Sequence, residues 1–205
     1  MIANNIRAAL PVLALSAFLA VSLNACNPKV SRVSEDTVTD LSGNWNDTDS
    51  KLVSQEMIQD VLSRPWLSRF SQKSGRVPTV IVGTVRNLSH EHINTRTFVN
   101  DLERELINSG EVNFVASATE RSEIRSERKD QDLHASESTR KSMGNETGAD
   151  YMLQGSINTL IDAVKGEQAR FYQIDLNLID LESNRKVWVG QKKIKKTVER
   201  SGFRF

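Results

Sequence analysis

Few residues in this chain are of a type and spacing that could do chemistry. His90-Glu91-His92 sets two imidazoles two residues apart, a spacing from which a strand could chelate a metal. No further cysteine or carboxylate arrangement completes such a site, so the segment reads as a solvated loop. The third histidine, His134, stands in a stretch of mixed charge. No nucleophile elbow, phosphate loop or paired-carboxylate motif occurs, and nothing supports an enzyme. The one cysteine, Cys26, excludes an internal disulfide and a Cys-rich zinc site, and its chemistry follows from its position.

Ahead of Cys26, Met1 to Arg7 carry one basic side chain and Ala8 to Leu23 form an apolar run interrupted by Pro11, Ser16 and Ser22. That is the layout of a secretory signal peptide, and it falls short of the roughly 20 apolar residues that a spanning helix needs. The run ends in Leu23-Asn24-Ala25-Cys26, which resembles a bacterial lipobox. Residues 1–25 are therefore expected to be removed and Cys26 to carry lipid, with the acyl chains holding the protein to a membrane at about 0.8 kcal/mol per buried methylene. Asn27, where an aspartate would signal inner-membrane retention, favours the outer membrane. A bacterial cell also discounts the glycosylation patterns at Asn46, Asn87 and Asn145.

Charge is distributed unevenly in a chain of net charge +1. The span 185–205 holds eight basic residues against the single acid Glu199. Lys192, Lys193, Lys195 and Lys196 surround Ile194, and strand alternation sends Lys192 and Lys196 to the face of Ile194 and the other two to the opposite face. They are candidate partner-binding residues for an acidic surface or an anionic envelope polymer; equally, they could be the lysines of a polar edge strand. The near-neutral total gives no electrostatic reason to expect nucleic acid.

The elements that would position these residues can be read from periodicity. Residues 26–46 lack any period and read as the lipidated cysteine and a tether, followed by one globular domain over 47–205. Asp47 or Asp49 can cap a helix with Val53, Met57 and Val61 at spacing four, and Pro65 suits the first turn of a second. Thr79 to Val85, nearly all apolar at Val80, Ile81 and Val82, reads as a central strand covered on both faces. Asn94 or Thr95 starts a helix bearing Phe98, Leu102 and Leu106, which Gly110 ends, and Val112 to Val115 is a short strand. Glu120 to Lys141 balances six acids with six bases and should be a solvated helix pair or an excursion, with a further helix closing at Gly148. Period two then runs through residues 151–161, 169–181 and 186–194, a meander with two hairpin connections. The fold class is α+β, a small mixed sheet with a C-terminal β-meander flanked by helices.

Three stretches together resemble the LpoB family of outer-membrane lipoproteins that activate class A penicillin-binding proteins. They are Trp45-Asn46-Asp47-Thr48-Asp49 with the helix through Pro65-Trp66-Leu67, Val80 to Thr95 with its Asn87-to-Asn94 loop, and Gly148-Ala149-Asp150-Tyr151-Met152-Leu153-Gln154-Gly155. The last is shared with TolB N-terminal and CsgG-like envelope domains, so a structural or transport-accessory lipoprotein is the alternative. The resemblance implies a TolB N-terminal-domain-like fold and a non-enzymatic protein; the stripes and strands complete within about 48–200 indicate a monomer, and no motif calls for a cofactor. Its domain would face the periplasm, bind an accessory domain of a bifunctional synthase and stimulate it. The chain departs from enterobacterial members in its tether of about 20 residues, at most about 70 Å long. Asn87 and Gly155 are expected to serve a turn and a close backbone approach.

Replacing Cys26 by Ser should abolish lipidation. Metabolic labelling with a palmitate analogue checks this: label persisting on the variant would refute the assignment.

Overall fold

The computed structural model describes residues 30–34 and 37–199, and the folded unit starts at Val38. Cys26 and the apolar run before it lie outside the described residues, within which no helix is long and apolar enough to cross a membrane. The elements are α1 (Asp47–Leu62), α2 (Pro65–Ser74), β1 (Thr79–Asn87), α3 (Thr95–Ser109), β2 (Asn113–Phe114), α4 (Ala118–His134), β3 (Tyr151–Val164), β4 (Glu167–Asp180) and β5 (Lys186–Glu199). The sheet order is β2-β1-β3-β4-β5, with β1 parallel to β2 and β3 and the last three strands an antiparallel meander. The expected α+β class with a mixed sheet is therefore the observed one.

Local chemistry explains the element ends. Asn46, rather than Asp47 or Asp49, caps α1: its side chain accepts from the Asp49 N–H while the Asp49 carboxylate accepts from the Asn46 N–H, each at 3.0 Å. α2 opens on Pro65, α3 is capped by Asn94, and both close on a left-handed glycine, Gly75 and Gly110. The meander strands are 14 residues each, longer at their ends than the alternation alone indicates.

Two expectations need correction. The helix expected to close at Gly148 does not form. Residues 136–147 are rich in Ser, Thr and Asn, whose side chains compete for backbone groups, and Gly144 sits at φ +85°. Glu146 instead ties this stretch to α4, accepting from Arg125 at 2.9 and 2.8 Å and from Arg128 at 3.0 Å. Nor is β1 covered throughout. Thr79 to Val82 are buried, but β2 pairs only with Thr79 and Val80, and Thr84 and Arg86 are exposed.

The core lies between the sheet and the pair α1 and α3. Val53, Met57, Ile58 and Val61 of α1 and Phe98, Leu102 and Leu106 of α3 meet Val80, Val82, Leu153, Ile157, Ile174, Leu176 and Leu178. Gly155 permits a close backbone approach within the sheet, since a Cβ there would lie 2.1 Å from the Asp175 carbonyl oxygen.

The expected tether gives up its last residues to this domain. Trp45 packs edge-to-face against Phe98 at 5.9 Å and Tyr172 at 5.7 Å, and the Asp40 carboxylate accepts from Asn46 Nδ2 at 2.6 Å. A chain beginning at Asp47 should therefore unfold cooperatively but be about 2–3 kcal/mol less stable than one beginning at Val38, having lost an aromatic side chain from the core rim and a helix cap. Urea titration followed by circular dichroism measures the difference, and equal midpoints would refute the docking of 40–46.

Candidate functional site

Glu91 is half-buried, its side chain 14% exposed, although the histidines on either side of it are exposed. The Asn87 side chain shapes its loop by donating to the Glu91 carbonyl at 2.7 Å and accepting from the Ser89 N–H at 3.0 Å. Glu91 Oε1 accepts from Arg170 Nη1 and from the Tyr172 hydroxyl, both at 2.7 Å, and Oε2 accepts from the Trp45 N–H at 3.2 Å. Tyr172 also lies 3.2 Å from the Gly43 carbonyl oxygen. Burial pushes the Glu91 carboxyl up, but the bonds from Tyr172, Arg170 and Trp45 outweigh it and hold the group below the usual glutamate range. Burial and the neighbouring carboxylate drive the Tyr172 hydroxyl far up, so it stays a donor. Neither His90 nor His92 joins this cluster, and no group of three or more metal-ligating side chains occurs among the described residues.

Along β5 the alternation read from the sequence is the observed one. Lys192 and Lys196 turn toward α1, and Lys193 and Lys195 turn away. Three carboxylates of α1 meet three donors of β5 in reverse order. Asp60 accepts from Trp188 Nε1 at 2.8 Å, Glu56 pairs with Lys192, and Asp49 pairs with Lys196 at 2.6 Å. Lys196 also pairs with Asp40 at 2.7 Å and donates to the Asn44 carbonyl at 3.2 Å. Its side chain is 11% exposed; burial pushes its pKa down, and the two carboxylates more than reverse that. On the outer face Lys193 lies 5.9 Å over the Phe171 ring, and Lys195 has no ion-pair partner among the described residues. Of the four candidate lysines, two are thus occupied within the fold.

The Gly148-to-Gly155 stretch also acquires a physical role. Asp150 receives both Arg76 guanidinium nitrogens, at 2.8 and 2.6 Å, and the Thr79 N–H at 2.8 Å, which fixes the start of β3 beside that of β1. Burial raises the Asp150 carboxyl, and the Arg76 and Thr79 bonds bring it below the usual range.

The family model for the peptidoglycan-synthase activator LpoB matches residues 49–194, a span that holds α1, the β1 loop and most of the meander. The chain belongs to the LpoB family. Among solved structures it is similar to the LpoB C-terminal domain from Escherichia coli at 19% identity, covering 72% of this chain and 99% of that one with a TM-score of 0.43. The Salmonella enterica LpoB C-terminal domain is 22% identical, over 64% and 94% of the two chains, with a TM-score of 0.34. Lipoprotein GNA1162 from Neisseria meningitidis is 11% identical over 62% and 88%, at 0.40. No curated protein matches the chain significantly. Membership in this family of synthase activators makes this a non-enzymatic chain.

Glu91→Ala should cost about 1–2 kcal/mol, because Tyr172 and the half-buried Arg170 each lose the charged acceptor they donate to. The Glu91 carboxyl titrates below its usual range in the folded chain. Its contribution is therefore complete above the ordinary glutamate value and is lost as pH falls through the lowered one. Acid unfolding of the wild type and the variant should converge in that window, and curves that stay parallel would contradict the assignment.

Proposed function

We infer that the chain is an outer-membrane lipoprotein, anchored through Cys26, whose periplasmic domain binds and stimulates a bifunctional class A penicillin-binding protein. The family match across residues 49–194 carries this reading. Stimulation requires no chemistry from the activator. It need only bind the active conformation of the synthase more tightly than the resting one, and the population shifts by that difference in affinity. The contact is made with an accessory domain. With Asp40 docked on the fold, the link from Cys26 extends at most about 50 Å, so the synthase is met close to the outer membrane. Lys193 and Lys195, outward and without carboxylate partners, steer an acidic partner surface, whereas Lys192 and Lys196 act on stability.

Purified class A synthase should consume lipid II faster with this protein than without it. Reversing Lys193 and Lys195 to Glu should slow association several-fold at low salt, with the loss shrinking as salt rises, while leaving the unfolding transition in place. Absence of stimulation for every class A synthase of the same cell, together with co-purification of a secretion or transport complex, would favour the structural alternative. Association rates unchanged at low ionic strength would return Lys193 and Lys195 to the role of edge-strand lysines.

A further inference from the structure

A cleft of about 560 Å³ opens between α2, the start of β3, and the loop from β4 into β5. Its floor is aromatic: Trp66 and Phe70 meet Tyr151 edge-to-face at 5.0 and 5.6 Å. Four exposed cations stand around it, Arg69 and Lys73 from α2 and Arg185 and Lys186 from the opposite wall. None of the four has an ion-pair partner among the described residues.

The carboxylates of the same cleft are for the most part already engaged. Asp150 is held by Arg76 and the Thr79 N–H, and Asp180 Oδ1 accepts the backbone N–H groups of Glu182 at 2.9 Å and Ser183 at 2.8 Å. Glu182, exposed on the rim, keeps its carboxylate open. The cleft thus sets four cations against two anions, Glu182 and an Asp180 whose carboxylate feels Lys73, over an aromatic floor. Its volume is that of a pocket for a small ligand, well short of the flat area that a stable protein partner covers.

We propose that this cleft binds a short peptide bearing several carboxylates and an amine, the chemistry of the stem peptides of peptidoglycan. The carboxylates meet the guanidinium and ammonium groups from both walls, the methylene chains lie along the edge of Phe70 left open by Arg76, whose guanidinium sits 5.0 Å over the ring, and Glu182 receives the amine. Arg69 and Arg185, on opposite walls, supply the planar donor forks that suit carboxylates. Occupancy would hold the domain at strands whose peptides are still uncrosslinked. The inference rests on the reading of the chain as a wall-facing lipoprotein, but it needs no synthase for its test. Lipid II stimulation can therefore fail while this binding holds, and the reverse.

The test is isothermal titration of the full lipidated protein in detergent micelles with synthetic L-alanyl-γ-D-glutamyl-meso-diaminopimelate. Saturable binding is expected, weakening as salt rises, and the double variant Arg69→Glu/Arg185→Glu should lose about tenfold in affinity. Lys129→Glu, on α4 away from the cleft, should bind as the wild type does. All four rim cations are exposed, so the variants should keep their thermal transition; if the double variant does not, Lys73→Ala, Lys186→Ala and the salt series give the reading instead. No saturable binding by the wild type, an affinity indifferent to salt and to these variants, or equal binding of the fully amidated tripeptide would overturn the proposal. Equally tight binding of hexaglutamate would overturn the assignment to wall peptide.

Discussion

A carboxylate withdrawn from water must be compensated, and in this domain that requirement falls on Glu91. Its partners come from segments far apart in the chain: Trp45 ahead of α1, and Arg170 and Tyr172 on β4. Satisfying it fixes where the N-terminal segment crosses the fold, which rotamer Tyr172 adopts beneath Trp45, and how the loop after β1 lies against the meander. A half-satisfied version of this cluster would be worse than an apolar one. The Arg170 Nε atom, buried without a partner, shows how little slack the arrangement has.

The second organising contact, between α1 and β5, works by sorting rather than by burial. The sequence presents four lysines within five residues, and the pleat of β5 divides them into two that neutralise α1 carboxylates and two that face outward. Gly190 contributes through absence: a Cβ there would lie 2.0 Å from the Trp188 ring, so the indole can reach across to Asp60 only over a glycine. Basic character that looks continuous along the chain is thus spent mostly inside the molecule on one face and left available on the other.

The parts legible in the sequence were those governed by local period. Spacing-four stripes gave the core faces of α1 and α3, period two gave the meander, and the same alternation gave the separation of Lys192 and Lys196 from Lys193 and Lys195. Glu91 was not legible, because its importance comes from Arg170 and Tyr172, which no local pattern connects to a loop flanked by two exposed histidines. The cap of α1 is Asn46 rather than Asp47 or Asp49, and Asn-x-x-Asp has the spacing of a capping box. The absent helix before Gly148 has its own reason: mixed charge alone does not make a helix where Ser, Thr and Asn can bond their own backbone. The cleft at α2 could not be foreseen, since its walls are joined only when β3 and the β4–β5 loop come together.

The docking of residues 40–46 has a mechanical side. Tension applied through the chain ahead of Val38 meets the exposed fastenings at Thr39 and Asp40, the carbonyl of one bonded to Asn46 and the carboxylate of the other paired with Lys196, then Trp45, and only afterwards the cap of α1. Lys196 is also held by Asp49, so the early loss of Asp40 leaves β5 clasped to α1. The fold therefore has a short length of chain to pay out before its core bears load. Resistance to rupture is governed by the rate at which those outer fastenings open, not by the stability of the whole domain.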